Sequence, residues 1–119
     1  MRKDQRLAKT KDFAAVRGDG KAWSDRLLVL LARRNGLGVT RFGFSVGRRV
    51  GGAVVRNRVK RRLRETARVT QVRQGWDLVV VARKDASSAD FRKLAHSMTR
   101  LLGRAEVLHA LPKPILPCP

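Results

Sequence analysis

The chain has 119 residues, enough for one hydrophobic core and too few for two ordinary domains. Its 28 Lys and Arg residues face only 9 Asp and Glu, so the formal net charge is +19. A compact chain with this charge repels itself, which indicates a polyanionic partner, foremost nucleic acid, and the 43% hydrophobic content excludes a disordered basic tail.

The first half of the chain predicts a short helix followed by strands. Residues 10–16 have apolar side chains at helical spacing, and glycines follow them. The apolar run 27–32 predicts a buried strand. Phe42, Phe44 and Val46 alternate with small or polar residues, which is typical of a strand with one buried face. The sequence thus predicts two or three strands before the next helix.

The second half predicts a basic helix, a central strand and an amphipathic helix. The helix runs from about 53 to 69, with an apolar stripe formed by Val55, Val59, Leu63 and Thr66. Residues 76–82 are apolar and β-branched, which predicts a strand covered on both faces. Ser87 and Asp90 predict a capping box for a last helix whose apolar spacing continues to Leu108.

These elements predict an α+β sandwich in which helices cover a small sheet. We expect a single RNA-binding domain over residues 1–110 and an extended tail over 111–119, which contains all 4 prolines of the chain. The single cysteine, Cys118, excludes an intrachain disulfide and a multi-cysteine zinc site, and no apolar run is long enough to span a membrane. We therefore expect a soluble cytoplasmic protein.

The positive charge is segregated, because no acidic residue occurs between Asp25 and Glu65. A solvated helix face ordinarily interleaves acidic partners, and the excess of arginine over lysine favours forked contacts with phosphate oxygens. The helical projection sets Asn57, Arg61, Arg64 and Arg68 opposite the apolar stripe, Arg56 and Lys60 on one flank, and Arg58 and Arg62 on the other. The alternatives are a generic basic helix, Asn57 as a capping residue, and Phe13 as a core residue rather than a stacking platform.

The sequence predicts no catalytic residue and no metal site in the protein itself. Convergent carboxylates and paired histidines are not evident, and His96 and His109 are interpreted as surface or helix-terminal residues. The glycines between 47 and 52 lack the phosphate-loop pattern, so we expect no nucleotide or other small-molecule substrate.

Residues 41–65, RFGFSVGRRVGGAVVRNRVKRRLRE, resemble the signature of the bacterial ribonuclease P protein component, with its Arg-Asn-Arg core at 56–58. Arg6-Leu7 with Asp12-Phe13 resembles the opening of that family, and residues 77–84 resemble its last strand and turn. The resemblance implies an α-β-β-β-α-β-α two-layer sandwich, ribosomal-protein-like, with a small mixed sheet. It also implies a left-handed crossover around the basic helix, where general rules favour a right-handed one.

The resemblance further implies an accessory subunit of a ribonucleoprotein endoribonuclease. A catalytic RNA with bound Mg²⁺ cleaves precursor tRNA at the 5′ end of the mature tRNA, and the protein alone is not catalytic. The implied partners are the catalytic RNA and precursor tRNA, with no membrane. The residues implied for the catalytic RNA are Arg48, Arg49, Arg56, Asn57, Arg58, Arg61, Arg62 and Arg64, and those for the precursor's 5′ leader are Phe13, Arg17, Ser45 and Lys60.

This sequence departs from the family pattern at the leader cleft. Arg17 and Leu31 stand where relatives often carry aromatic residues, and Gly52 replaces a frequent asparagine. Leader binding is therefore expected to depend more on charge and less on stacking, with Trp23 as a candidate substitute ring. The alternative function is that of a ribosomal or other structural RNA-binding protein with no role in cleavage.

Overall fold

The computed structural model describes residues 5–7 and 10–108, which contain three helices and four strands. In chain order these are α1 Thr10–Asp19, β1 Lys21–Ser24, β2 Leu28–Arg34, β3 Arg41–Ser45, α2 Ala53–Val69, β4 Trp76–Ala82 and α3 Phe91–Arg104. Short 3-10 turns at Arg48–Val50 and Lys84–Ser88 precede α2 and α3. The predicted tail at 111–119, Cys118 and His109 lie outside the described residues. Within those residues, no helix is long and apolar enough to cross a membrane.

The four strands form one mixed sheet in the order β1-β2-β4-β3. β1 pairs with β2 and β2 with β4 in antiparallel fashion, while β3 runs parallel to β4. Helix α2 therefore connects two parallel neighbours, β3 and β4. Because β4 is internal and buried along most of its length, it is the doubly covered strand that its apolar sequence predicts.

Helices cover the two faces of the sheet unequally. Helices α2 and α3 pack on one face, where the largest fully buried side chains are Leu28, Leu30, Leu78 and Val80 from the sheet and Leu63, Leu94, Met98, Leu101 and Leu102 from the helices. On the other face α1 contributes a smaller cluster of Leu7, Val16 and Val79, with Phe13, Leu31 and Val81 only partly buried against it. The second face is thus covered by α1 alone, and part of its apolar surface stays accessible.

A buried carboxylate joins the strands beneath α1. Asp77 of β4 is 1% exposed and accepts two hydrogen bonds from Arg41 of β3, at 2.8 and 2.7 Å. It also accepts one from the Asn35 side chain at 2.9 Å. Arg41 reaches Asp12 of α1 at 3.5 Å as well, so the buried ion pair aligns β3, β4 and α1. A buried charge requires such complete pairing.

The structure corrects three details of the predicted elements. The capping box is wrong: Asp90 itself caps α3 by accepting from the Lys93 N–H at 2.8 Å, while Ser87 lies in the preceding 3-10 turn. Helix α3 ends at Arg104 rather than near Leu108, since the chain reverses at Glu106, whose φ is 59°. Helix α1 continues through Gly18 to Asp19.

Candidate nucleic-acid interface

Helix α2 docks on the sheet through Val59, Leu63, Thr66 and Ala67, and leaves its cations on the remaining surface. Among the described residues, no carboxylate forms an ion pair with any cation from Arg56 to Arg64. The helix's own acid, Glu65, pairs with Arg68 instead, and the hydrogen bond from Arg68 lowers the pKa of the Glu65 carboxyl. The positive charge of α2 therefore lacks internal compensation along most of its length.

A cleft of about 340 Å³ opens at the edge strand β3, between α1 and α2. Its apolar walls are aromatic rings and backbone, and its charged wall consists of Lys60 and Arg64 from α2 with Arg6 from the N-terminal segment. We call this site the cleft; its lining residues are Arg6, Leu7, Phe13, Phe42, Gly43, Phe44, Lys60 and Arg64. Aromatic rings beside a row of cations are suited to binding a single-stranded nucleic acid, because bases stack on the rings and phosphates pair with the cations.

Helix α1 carries Phe13 to the cleft by crossing the sheet. Phe13 lies over Gly43 of β3, Val16 packs against Val79 of β4, and the end of the helix approaches Ala32 of β2. A Cβ atom at position 43 would lie 2.6 Å from the Phe13 ring. The glycine therefore lets the ring rest directly on the strand. Phe42 and Phe44 stack with their centroids 6.0 Å apart, but they belong to the opposite face of the sheet.

On the other flank of α2, two arginines are held against the segment before α3. Arg62 donates to the Ala89 carbonyl at 2.9 Å, and Arg58 donates a long bond to the Ser87 carbonyl at 3.4 Å. Each guanidinium keeps further N–H donors. Among the described residues, the Nε atoms of Arg56 and Arg58 are buried without a hydrogen-bond partner.

The outward surface of α2 is open to solvent. Asn57 and Arg61 are exposed there, and Arg48 and Arg49 are exposed on the 3-10 turn that precedes the helix. Asn57 follows the N-cap residue Gly52 by five positions, so it is not the cap of α2. Seven of the eight residues predicted for the catalytic RNA thus fall on three surfaces: outward, against residues 84–89, and, for Arg64, in the cleft. The eighth, Arg56, is half-buried on the flank of Lys60, one helical turn before it.

The four residues predicted for the leader do not all line the cleft. Phe13 and Lys60 do. Half-buried Ser45 follows Gly43 on the same face of β3, and exposed Arg17 lies one helical turn beyond Phe13 toward β2. Trp23 packs with the core on the opposite face, so it does not replace a ring in the cleft. Leu31, which stands in place of an aromatic residue, packs beside Phe13.

Two cationic residues of the cleft were not assigned to it from sequence. Arg6 enters through a bridge that pairs it with Phe42 of β3. Its position beside Leu7 in a motif of the family was the one available signal. Arg64 lies beside Lys60, one helical turn away, and the i, i+4 spacing of these two cations was the signal for their shared surface.

The described residues include no group of three or more His, Cys, Asp or Glu side chains that could hold a metal ion. His96 is exposed on α3. The arrangement at α2 and the cleft is suited to binding phosphates and bases.

The family model and the relatives that match this chain agree on one family. The model of the Ribonuclease P family matches residues 1–106. A ribonuclease P protein component from Dehalococcoides mccartyi is 39% identical over 108 residues, covering 91% of this chain and 90% of the relative. Another from Caldanaerobacter subterraneus subsp. tengcongensis is 44% identical over 99 residues, covering 82% and 85%.

Solved structures extend this similarity to the fold. A Staphylococcus aureus RNase P protein mutant with defective mRNA degradation activity superposes with a TM-score of 0.84 at 29% identity, covering 89% of this chain and 92% of that chain. The RNase P protein from Thermotoga maritima gives a TM-score of 0.77 at 34% identity, covering 83% and 96%.

Proposed function

This chain belongs to the ribonuclease P protein family, and from that membership we propose how its basic helix and its cleft divide the binding of two RNAs. The protein is the accessory subunit of the ribonucleoprotein endoribonuclease that matures the 5′ end of tRNA. The family match favours this function over that of a structural RNA-binding protein. At the level of the family, the partners are the ribonuclease P RNA and precursor tRNA.

The outward surface of α2 is our proposed contact with the catalytic RNA. It consists of exposed Asn57 and Arg61, extended by Arg48 and Arg49. Arg58 and Arg62 flank it, and their guanidinium groups retain donors beyond those used for Ser87 and Ala89. Arg56 is included because no carboxylate pairs with its guanidinium among the described residues, which leaves its charge available to a phosphate.

The cleft is our proposed site for the 5′ leader of the precursor. The observation that carries this proposal is the placement of the Phe13 ring across from Lys60 and Arg64 in one open cleft. A base stacks on the ring while its phosphates meet the cations. We therefore reassign Arg64 from the catalytic RNA to the leader and add Arg6. Ser45 and Arg17 lie on either side of Phe13 and extend the proposed path of the leader RNA.

Cleavage itself is proposed to belong to the catalytic RNA and its bound Mg²⁺. The protein's contribution is electrostatic, because cations placed between two polyanions reduce the repulsion of their phosphates. Less Mg²⁺ is then needed to bring the RNAs together. A cytoplasmic location is part of the same proposal, since precursor tRNA in a bacterium is made there.

Reconstitution tests the proposal. Purified protein is mixed with its cognate catalytic RNA and with precursor tRNA that either carries or lacks the leader. We expect no cleavage by protein free of RNA, a lower Mg²⁺ requirement when protein is added, and tighter binding of leader-bearing precursor than of leaderless tRNA. Robust cleavage by the RNA-free protein, or an equal effect on both substrates, would contradict the assignment.

A further inference from the structure

A second depression lies at the β1 edge of the sheet, on the face that α2 and α3 cover. Trp23 of β1 and Trp76 of β4 line it together with the end of α3. Its volume is about 550 Å³, and it shares no lining residue with the cleft. We call it the tryptophan groove; its other lining residues are Asp19, Lys21, Ala32, Arg33, Arg34, Arg73, Arg104, Ala105 and Glu106.

Both tryptophans of the chain are half-buried in this groove. Each packs part of its ring against the larger core cluster and leaves the rest accessible. The guanidinium of Arg34 lies over Trp76, 5.3 Å from the ring centroid, in a cation–π contact. The groove thus combines two indole rings with a flat guanidinium, all of which are surfaces on which nucleic-acid bases stack.

Positive charge dominates the groove, with five cations against two carboxylates. One carboxylate, Asp19, is already paired with Arg33 at 3.5 Å. Arg104 donates to the Ser24 carbonyl at 3.3 Å, which fixes its side chain while leaving other N–H donors available. Among the described residues, Lys21 and Arg34 form no ion pair. The groove is therefore ready to accept an anionic ligand.

We propose that the tryptophan groove is a second binding site for single-stranded RNA, in which a base stacks on an indole and neighbouring phosphates contact Lys21, Arg34 and Arg104. Single-stranded RNA supplies flat bases and one phosphate per nucleotide in the same chain. A duplex keeps its bases inside the helix and cannot offer them to a half-buried ring. The proposal goes beyond the function of α2 and the cleft and does not depend on it.

Tryptophan fluorescence tests the proposal directly. The chain has two tryptophans and no tyrosine, so excitation at the red edge of the indole band reports on the groove alone. Full-length protein is titrated with end-labelled octamers of uridylate and adenylate, and the anisotropy of the label is followed in parallel. We expect saturable quenching of the tryptophan signal. The quenching should persist in Lys60→Gln/Arg64→Gln, which weakens only the cleft.

Charge variants identify the groove as the binding site. Arg34→Gln/Arg104→Gln should weaken the quenching titration roughly tenfold, as expected when charge-assisted hydrogen bonds are removed. Arg92→Gln/Lys93→Gln is the matched control, since it removes the same charge from the other end of α3. The single-tryptophan variants Trp23→Phe and Trp76→Phe keep an aromatic ring and show which indole is quenched. Circular dichroism and thermal unfolding verify that each variant is folded.

The proposal is overturned if the octamers raise the anisotropy without quenching either single-tryptophan protein, because binding would then lie elsewhere. It is also overturned if the control pair weakens quenching as much as the groove pair, which would indicate diffuse attraction. The reconstitution described above uses cleavage and precursor binding as its readouts, so a negative result here leaves the assignment to ribonuclease P unchanged.

Discussion

The ring of Phe13 reaches the cleft only because position 43 is a glycine. A Cβ atom there would meet the ring at 2.6 Å and the Leu7 side chain at 3.3 Å. The sequence showed an aromatic residue on a short helix and left core and base platform as alternatives. The structure makes Phe13 both, since the residue packs with Leu7 and Val16 and still lines the cleft. Partial burial is what allows a ring to be held in place and remain available.

Replacing Phe13 with alanine should therefore weaken leader binding selectively. We expect a loss of about 1–3 kcal/mol for leader-bearing precursor, the value of a base stacked on an aromatic ring, and almost none for leaderless tRNA. Equilibrium binding to the reconstituted ribonucleoprotein measures both. Phe91→Ala is the matched control, because Phe91 is 42% exposed on α3 and outside the cleft. An equal loss of affinity for both substrates would indicate that Phe13 has only a structural role.

Asp25 gives the fold a pH dependence that can be measured. Burial opposes its charged form, but hydrogen bonds from the Ser97 hydroxyl, the Leu28 N–H, Arg100 and the Leu27 N–H outweigh burial and lower its pKa. A carboxylate with a lowered pKa stabilises the fold fully above its ordinary pKa. That stabilisation is lost as pH falls through the folded-state pKa. These bonds join the turn before β2 to α3, so the Asp25 carboxylate stabilises the part of the fold that contains the larger core.

Asp25→Asn should accordingly lower the free energy of unfolding by about 1.5–3 kcal/mol near neutral pH, the usual contribution of hydrogen bonds to a charged group. The difference from the unchanged protein should shrink in acid, once the native carboxylate is itself protonated. Denaturant unfolding at a series of pH values measures it. Asp85→Asn, which removes an exposed pair with Arg26, should change stability little at any pH. A pH-independent difference for Asp25→Asn would argue against this origin.

At the scale of the elements, the strongly patterned segments were predictable and the weakly patterned ones were not. Strand β4 and helix α2 follow from continuous apolar residues and a clear stripe. Strand β1 does not, because its residues are mostly exposed and it is held by pairing with β2. The end of α3 was misplaced because Ala105 and Leu108 continue the apolar spacing, although Leu108 packs on the core after a reversal of the chain at Glu106.

The site was predictable in composition and less so in arrangement. A helical projection orders the cations around α2, but it cannot say which neighbours each flank meets. Arg64, which the projection sets opposite the apolar stripe, lines the cleft because β3 and α1 lie along the side of α2 that carries Lys60. Arg62 contacts the Ala89 carbonyl because the segment before α3 lies beside the other flank. Both outcomes depend on tertiary packing, which residue spacing within one helix does not contain.

Adjacent arginines on α2 should then behave differently. Arg62→Gln removes a donor to the Ala89 carbonyl, so we expect a loss of about 1–2 kcal/mol in the free energy of unfolding. Arg61→Gln changes an exposed side chain and should leave stability within about 0.5 kcal/mol while still weakening binding to the catalytic RNA. Thermal or denaturant unfolding and filter binding separate the two effects. Equal destabilisation by both variants would show that Arg62 has no special structural role.

At the scale of the whole molecule, RNA binding depends on where the positive charges lie rather than on their sum. The molecule measures 40 × 37 × 25 Å, whereas the Debye length at 0.1 M salt is about 10 Å. Cations on distant surfaces therefore contribute little to one RNA contact. A polyanion at α2 senses mainly the residues there, so the total of +19 describes several separate surfaces rather than one uniform field.

The salt dependence of binding to the catalytic RNA shows whether the local charge at α2 or the net charge of the protein drives binding. Arg56→Gln/Arg61→Gln should reduce the slope of log K against log salt by roughly one for each phosphate that the variant no longer neutralises, because fewer counterions are released. Arg56 and Arg61 are preferred to Arg58, which also contacts the Ser87 carbonyl. Arg92→Gln/Lys93→Gln lowers the net charge equally on α3 and should leave the slope nearly unchanged. If both pairs reduced the slope to the same extent, attraction to α2 would be diffuse, and the proposed RNA contact on its outward surface would be wrong.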